Sequence, residues 1–377
     1  MMQRKYLSTS ALALLTSVAL AAADSAPANR ELGFILTAFA PAIYQGKDDC
    51  PDGLAGTIRE NYLDSLPADE RARLLKPENE KELTRLWQAS SDGPNNTNLC
   101  ANPEQFDRPL VRQLQGKVAR GLDLDGDSSG KVGGDACVHQ NFTAPDGGQG
   151  IDNQAYRAMG CTRNYRGVDG VAGDIVRGSN MYLSSGEHSM VLLLRGVDSI
   201  VNDDDVEVIF ATTGDRPTLD SRGNFITGAS FTVTNNPRWR NVLHGRIVGG
   251  VLSTEPADIH LTRSWGHGGI RGAKNEWDLR RGRLRLAFQS NGALQGVFGG
   301  YQTPYGVISS TIIGGNGATK VAGIDCAAQY KTLLALVDGI RDPATGQCTH
   351  VSVGLDVAAV PAYVFDRSPA TAEARRR

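Results

Sequence analysis

Among the 377 residues, none of the six cysteines falls in a C-x-x-C or C-x-x-C-H string, which leaves no zinc ribbon and no c-type haem attachment. Neither H-E-x-x-H nor a His-x-His pair occurs, so the familiar helical zinc and copper signatures are absent as well. Past residue 23 no apolar run is long enough to span a membrane. The formal net charge is only −2, with acids and bases interspersed, so the chain lacks the basic footprint of a nucleic-acid binder. No internal repeat is visible.

What the chain does have begins at its N-terminus. Arg4 and Lys5 precede an apolar run over residues 11–23 that ends in small residues, Ala21, Ala22 and Ala23. This pattern predicts a secretory signal over residues 1–23, and hence an exported protein, periplasmic or extracellular. No cysteine stands at the cleavage region to take a lipid. Six cysteines in an oxidising compartment predict three disulfides. The expected pairing is sequential: Cys50–Cys100, Cys137–Cys161 and Cys326–Cys348.

The remaining chain of about 350 residues is long enough for one large domain or two smaller ones. Glycine is frequent, 44 residues, and spread throughout, which suits the many tight turns of an all-β fold. Residues 24–49 show no clear period and read as a connector. Residues 51–90 turn helical, with Leu54, Ile58 and Tyr62 at four-residue steps and a second stripe at Leu83, Leu86 and Trp87. Together residues 24–117 are expected to form a connector and a small helical cap.

From residue 118 short β-rich runs dominate. They cover 189–197, 205–213, 229–234, 242–252, 258–263, 283–289, 293–298, 307–313 and 351–364. One late helix is expected at 326–340. The expected fold is therefore mainly β: a β-sandwich or jelly roll over residues 118–366, with a disordered tail at 367–377.

The stretch most suggestive of chemistry is residues 121–154. Asp123, Asp125 and Asp127 alternate, and on an extended strand their carboxylates would share one side. Like charges so close need a cation, donors or a proton to relieve them. With Ser129, Asp152 and Asn153 they make an oxygen-rich set that predicts a structural calcium ion. An EF-hand register started at Asp125 places Gly130 at the sixth position but Ala136 where the bidentate Glu belongs. The competing reading is a network of turns in which these Asp side chains accept backbone N–H bonds.

Other patterns carry less. Gly126 to Gly130 fits G-x-S-x-G around Ser128, but every histidine follows it and glycines break any helix behind it. His267, Glu276 and Asp278 could form a hydrolase site, but a glycine-rich hairpin leading into a strand with charged outer residues is the stronger reading. Asn202 to Asp205 reads as a solvated acidic turn, or an ion site. Trp239, Trp265, Trp277, Tyr301 and Tyr305 could stack sugars or fill a core.

The string LDLDG, then a cysteine, then NFTAPDGGQGIDNQ up to Gln154 resembles a signature of exported bacterial proteins and lipoproteins. GGYQTPY, GIDCAAQY and DPATGQ are similar to the later part of the same group. The resemblance covers about half the chain and implies export; the group carries no established activity, so no catalytic residue is implied. The expected function is binding, of a glycan or an envelope protein. A secreted hydrolase or an accessory subunit of an exported enzyme are the alternatives.

Overall fold

The computed structural model describes residues 30–93, 97–128, 136–168, 171–186, 189–264, 274–313 and 317–367. The expected signal, His267, Trp265, Ser129 and the tail past Arg367 lie outside these.

The first described segment is a strand, not a connector. In β1, Arg30–Pro41, Phe34, Leu36 and Phe39 enter one core while Ile35 enters another on the opposite side. A strand buried on both faces reads as a continuous apolar run without alternation, which is why no period shows in its sequence. Seven further strands continue from it in chain order: β2 Met190–Val197, β3 Asp203–Thr212, β5 Arg240–Val248, β6 Val251–Thr254, β8 Lys274–Phe288, β9 Leu294–Gln302 and β11 Cys348–Phe365. Each is antiparallel to the next. β11 then returns to β1, with Ile35 opposite Val360.

The result is a closed eight-stranded antiparallel barrel, which corrects the expected sandwich or jelly roll. Closure depends on β1 pairing on both sides, and a closed barrel leaves no free edge where a sandwich would have one. Three short strands lie off the barrel path: β4 Ser230–Thr232 and β10 Gly339–Arg341 on β11, and β7 Ala257–Ser264 on β8. The interior is filled by side chains. Phe39 stacks edge-on against Trp277, Phe210 and Phe298 at 5.3, 5.8 and 5.9 Å.

The connection from β1 to β2 spans residues 42–189 and carries the cap helices α1 Ile58–Asp64, α2 Ala68–Leu74 and α3 Glu80–Ala89. Thr57 begins α1 with a capping box closed by Glu60. Beyond the cap come α4 Gln154–Met159, α5 Arg163–Arg166 and α6 Asp174–Ser185; α7 Pro304–Ile313 and α8 Cys326–Leu334 follow β9. The run at 307–313, read as a strand from its β-branched residues, lies in α7. Pro304 opens that helix and the Thr303 hydroxyl accepts from the Gly306 N–H, so local start signals override β propensity.

The six cysteines pair as Cys50–Cys161, Cys100–Cys326 and Cys137–Cys348, so the sequential pairing is corrected. Sequential pairing assumes that near neighbours in sequence meet first. Here the long β1–β2 excursion folds back over the barrel and brings Cys137 to the start of β11 and Cys100 to the start of α8. Loops of 111 to 226 residues are closed, each worth on the order of 5 kcal/mol in the chain-entropy model.

Candidate functional site: a His-centred carboxylate cluster

Alternation along β8, β9 and β11 sends Leu284, Phe298 and Leu355 into the barrel and turns Arg283, Gly299 and Gly354 outward. The excursion lies on that outer wall. Arg283 clamps it there, donating from its two Nη atoms to the carbonyls of Asp123 and Leu124 at 3.0 and 2.6 Å. A Cβ on Gly299 would stand 3.0 Å from Leu124, so the glycine permits the close approach. Residues 123–126 are not an extended strand; an isolated bridge, Leu122 to Asp152, is followed by bends.

Those bends divide the predicted ligands. Asp123 accepts the Gly126 N–H at 2.7 Å, and one oxygen of Asp125 accepts the Asp127 N–H at 2.8 Å. Asn153 is the N-cap of α4: its oxygen takes the Tyr156 N–H and its amide donates to the Arg120 carbonyl. Asp152 is fully buried, and one of its oxygens accepts the Leu124 N–H at 2.7 Å. Much of the acidic string therefore works as turn and cap chemistry.

Asp125 and Asp152 nevertheless converge, with a residue that no spacing pattern singles out. His139 places its Nε2 2.7 Å from Asp152 Oδ1 and 3.9 Å from Asp338 Oδ2. Asp125, His139 and Asp152 each offer a ligand atom, all within 4.8 Å of one another. The Cys137 carbonyl, 2.7 Å from His139 Nδ1, accepts the proton there and leaves Nε2 facing the carboxylates. The Cys137–Cys348 bond holds this backbone against β11, and the Cys137 N–H donates to the Asp338 carbonyl at 2.7 Å. Asp338 stands just before β10, and its Oδ1 accepts the Ser352 N–H of β11 at 2.7 Å.

Three buried carboxylate oxygens here have no hydrogen-bond partner among the described residues: Asp125 Oδ2, Asp127 Oδ1 and Asp338 Oδ2. Orphaned acceptors of this kind are rare in folded proteins because each loses its water without replacement. Burial raises the Asp125 carboxyl above its usual range, and the Asp152 charge adds to this. Burial likewise pushes Asp338 up to about 7, against the Ser352 hydrogen bond. For His139, burial works downward. The bond to Asp152, the Cys137 carbonyl and the Asp338 charge outweigh it and hold the ring up at about 9. The Tyr301 hydroxyl, raised by burial and then by Asp338, Asp152 and Asp125, borders the same cluster. Such a set can hold a cation between an imidazole nitrogen and ionised oxygens.

The remaining sequence candidates sit apart. Glu276 and Asp278 face His260 of β7, at 2.8 and 3.5 Å from its Nδ1, and Arg238 also pairs with Glu276. Asp203 accepts backbone N–H groups of Asp198 and Asp205, as a turn carboxylate does. Among the described aromatics, Trp277 and Tyr301 are buried in the fold while Tyr305 is half-exposed. Against known protein families, curated proteins and solved structures, the chain finds no match. No helix among the described residues is long and apolar enough to cross a membrane.

Proposed function

We propose that this is an exported binding protein that holds a divalent cation at Asp125, His139 and Asp152, with Asp338 as a fourth donor. The three disulfides support export, since such bonds persist in oxidising compartments. The observation that carries the metal reading is the set of partnerless buried carboxylate oxygens beside a histidine whose Nε2 faces them. A cation at these donors satisfies the orphaned oxygens of Asp125 and Asp338. The donor chemistry favours a zinc- or manganese-class ion over the calcium expected from the Asp spacing, because calcium takes oxygen ligands and imidazole suits the borderline metals.

On this reading the ion fixes residues 121–128 and 136–153 to the outer wall of the barrel. The test is thermal unfolding of chelator-treated protein with zinc, manganese or calcium added back. Saturation at about 100 times the dissociation constant should stabilise by about 2.7 kcal/mol. Zinc or manganese should raise the Tm of the wild type and leave that of His139→Ala unmoved. A Tm indifferent to all three ions overturns the reading; a rise with calcium alone returns it to an all-oxygen site.

A further inference from the structure

A cleft of about 300 Å³ opens where the chain before α1 meets α5 and the start of α8, and none of Asp125, His139, Asp152 and Asp338 lines it. That size sits at the lower end of small-ligand sites. Two disulfides fasten its walls. Cys161, bonded to Cys50, directly precedes Thr162 in the wall, and Cys326, bonded to Cys100, opens α8. Gly167 ends α5 with φ of 82°, and a Cβ there would stand 1.7 Å from the Val171 carbonyl oxygen, so the chain can fold back here only at a glycine. A cleft whose shape is fixed in this way costs little ordering when a ligand enters.

All four charged side chains among the described lining residues are already paired. Arg163 meets Glu60 at 3.1 Å, Arg177 pairs with Asp174, and Asp325 takes the Asn61 amide at 3.1 Å with Arg108 at 3.9 Å. A charged ligand would find no uncommitted counter-charge. Ala55, Val111 and Ile324 add short apolar surface, and no aromatic ring is present on which a sugar could stack.

The unmatched chemistry in this wall is a pair of amides, Asn164 of α5 and Gln329 of α8, only 6% and 4% exposed. Gln329 Nε2 donates to Asn164 Oδ1 at 3.1 Å. Asn164 Nδ2 and Gln329 Oε1 are buried without a partner among the described residues. Turning both amides over keeps their mutual bond and again leaves one donor and one acceptor. Such groups are rarely left unpaired in a folded protein.

We propose that this cleft binds a small neutral carboxamide, whose oxygen accepts from one of these amides and whose N–H donates to the other. A carboxamide carries that acceptor and donor on adjacent atoms and brings no charge. The site is independent of the metal.

The experiment is an NMR titration with butyramide, N,N-dimethylbutyramide, butyrate and glucose, run in chelator and again with zinc. Butyramide should bind equally in both. The dimethyl amide, which lacks the donor, and butyrate, which is charged, should each bind about tenfold more weakly or not at all. Gln329→Met should weaken butyramide by about tenfold. Ala172→Phe changes an exposed lining residue, so it should fill the cleft and abolish binding without lowering the Tm. Butyrate or glucose binding as tightly as butyramide overturns the ligand class. Undiminished binding to Ala172→Phe overturns the location, and no binding of butyramide to the wild type overturns the inference, in each case whatever zinc does.

Discussion

His139 Nε2 and Asp152 Oδ1 meet at 2.7 Å, inside the fold and thirteen positions apart in sequence. Asp152 also ties the chain to itself: its other oxygen accepts the Leu124 N–H, and its own N–H donates to the Leu122 carbonyl. The contact therefore joins an electrostatic cluster to the backbone of the loop that presents Asp125.

Asp152 and its neighbour Asn153 should separate in consequence. Asp152→Ala removes the acceptor of the Leu124 N–H and the 2.7 Å partner of His139 Nε2, and should cost about 3 kcal/mol even in chelator. Asn153→Ala removes a helix cap and should cost about 1 kcal/mol with the ion's stabilisation retained. Urea denaturation with and without zinc reads both. Equal losses in the two variants would detach Asp152 from the cluster.

The disulfides should differ in what they support. Peptide mapping without reduction should give Cys137 joined to Cys348. Replacing that pair by serine should weaken zinc by at least about tenfold, an effect of the size seen when groups orienting a metal ligand are lost. Replacing Cys50 and Cys161 should lower stability with little change in zinc affinity. Their bond lies away from His139, at the β1–β2 excursion's own base.

A pH dependence follows at Asp356, on the outward face of β11 and 2.9 Å from Arg120. Burial pushes its carboxyl up to about 6, against the Arg120 charge, from an ordinary 3.8. The folded form thus holds the proton more tightly than the unfolded form. Its contribution to stability is complete below pH 3.8 and is lost as pH rises through about 6. Asp356→Asn should therefore stabilise by on the order of 1 kcal/mol at pH 7.5 and by nothing near pH 3.5. The same gain at both pH values would mean that ionisation of Asp356 is not the cause.

How much of this was legible in the sequence varies with the physics behind each feature. β2, β3 and the end of β11 show short β-rich runs between turn residues, and their positions could be read directly. β1 could not, because burial on both faces erases the alternation that marks a strand. Without β1 the chain offers a row of strands but no closure, and a sandwich is the natural inference. The acidic loop stands out in the sequence, yet spacing alone could not divide Asp123 and Asn153, which serve a turn and a cap, from Asp125 and Asp152. His139 carries no spacing signal, since its partners come from residue 152 and from Asp338 ahead of β10. Only the fold brings them together. The calcium expectation follows from counting oxygens, and the proposed zinc- or manganese-class ion from adding the His139 nitrogen to that count.

The most direct measurement is anomalous diffraction at the zinc edge from crystals of chelated protein reloaded with zinc. The account predicts one ion about 2.0–2.2 Å from His139 Nε2 and from oxygens of Asp125 and Asp152, with Asp338 turned towards it. An empty cluster, with His139 still bonded directly to Asp152 at saturating zinc, would contradict it.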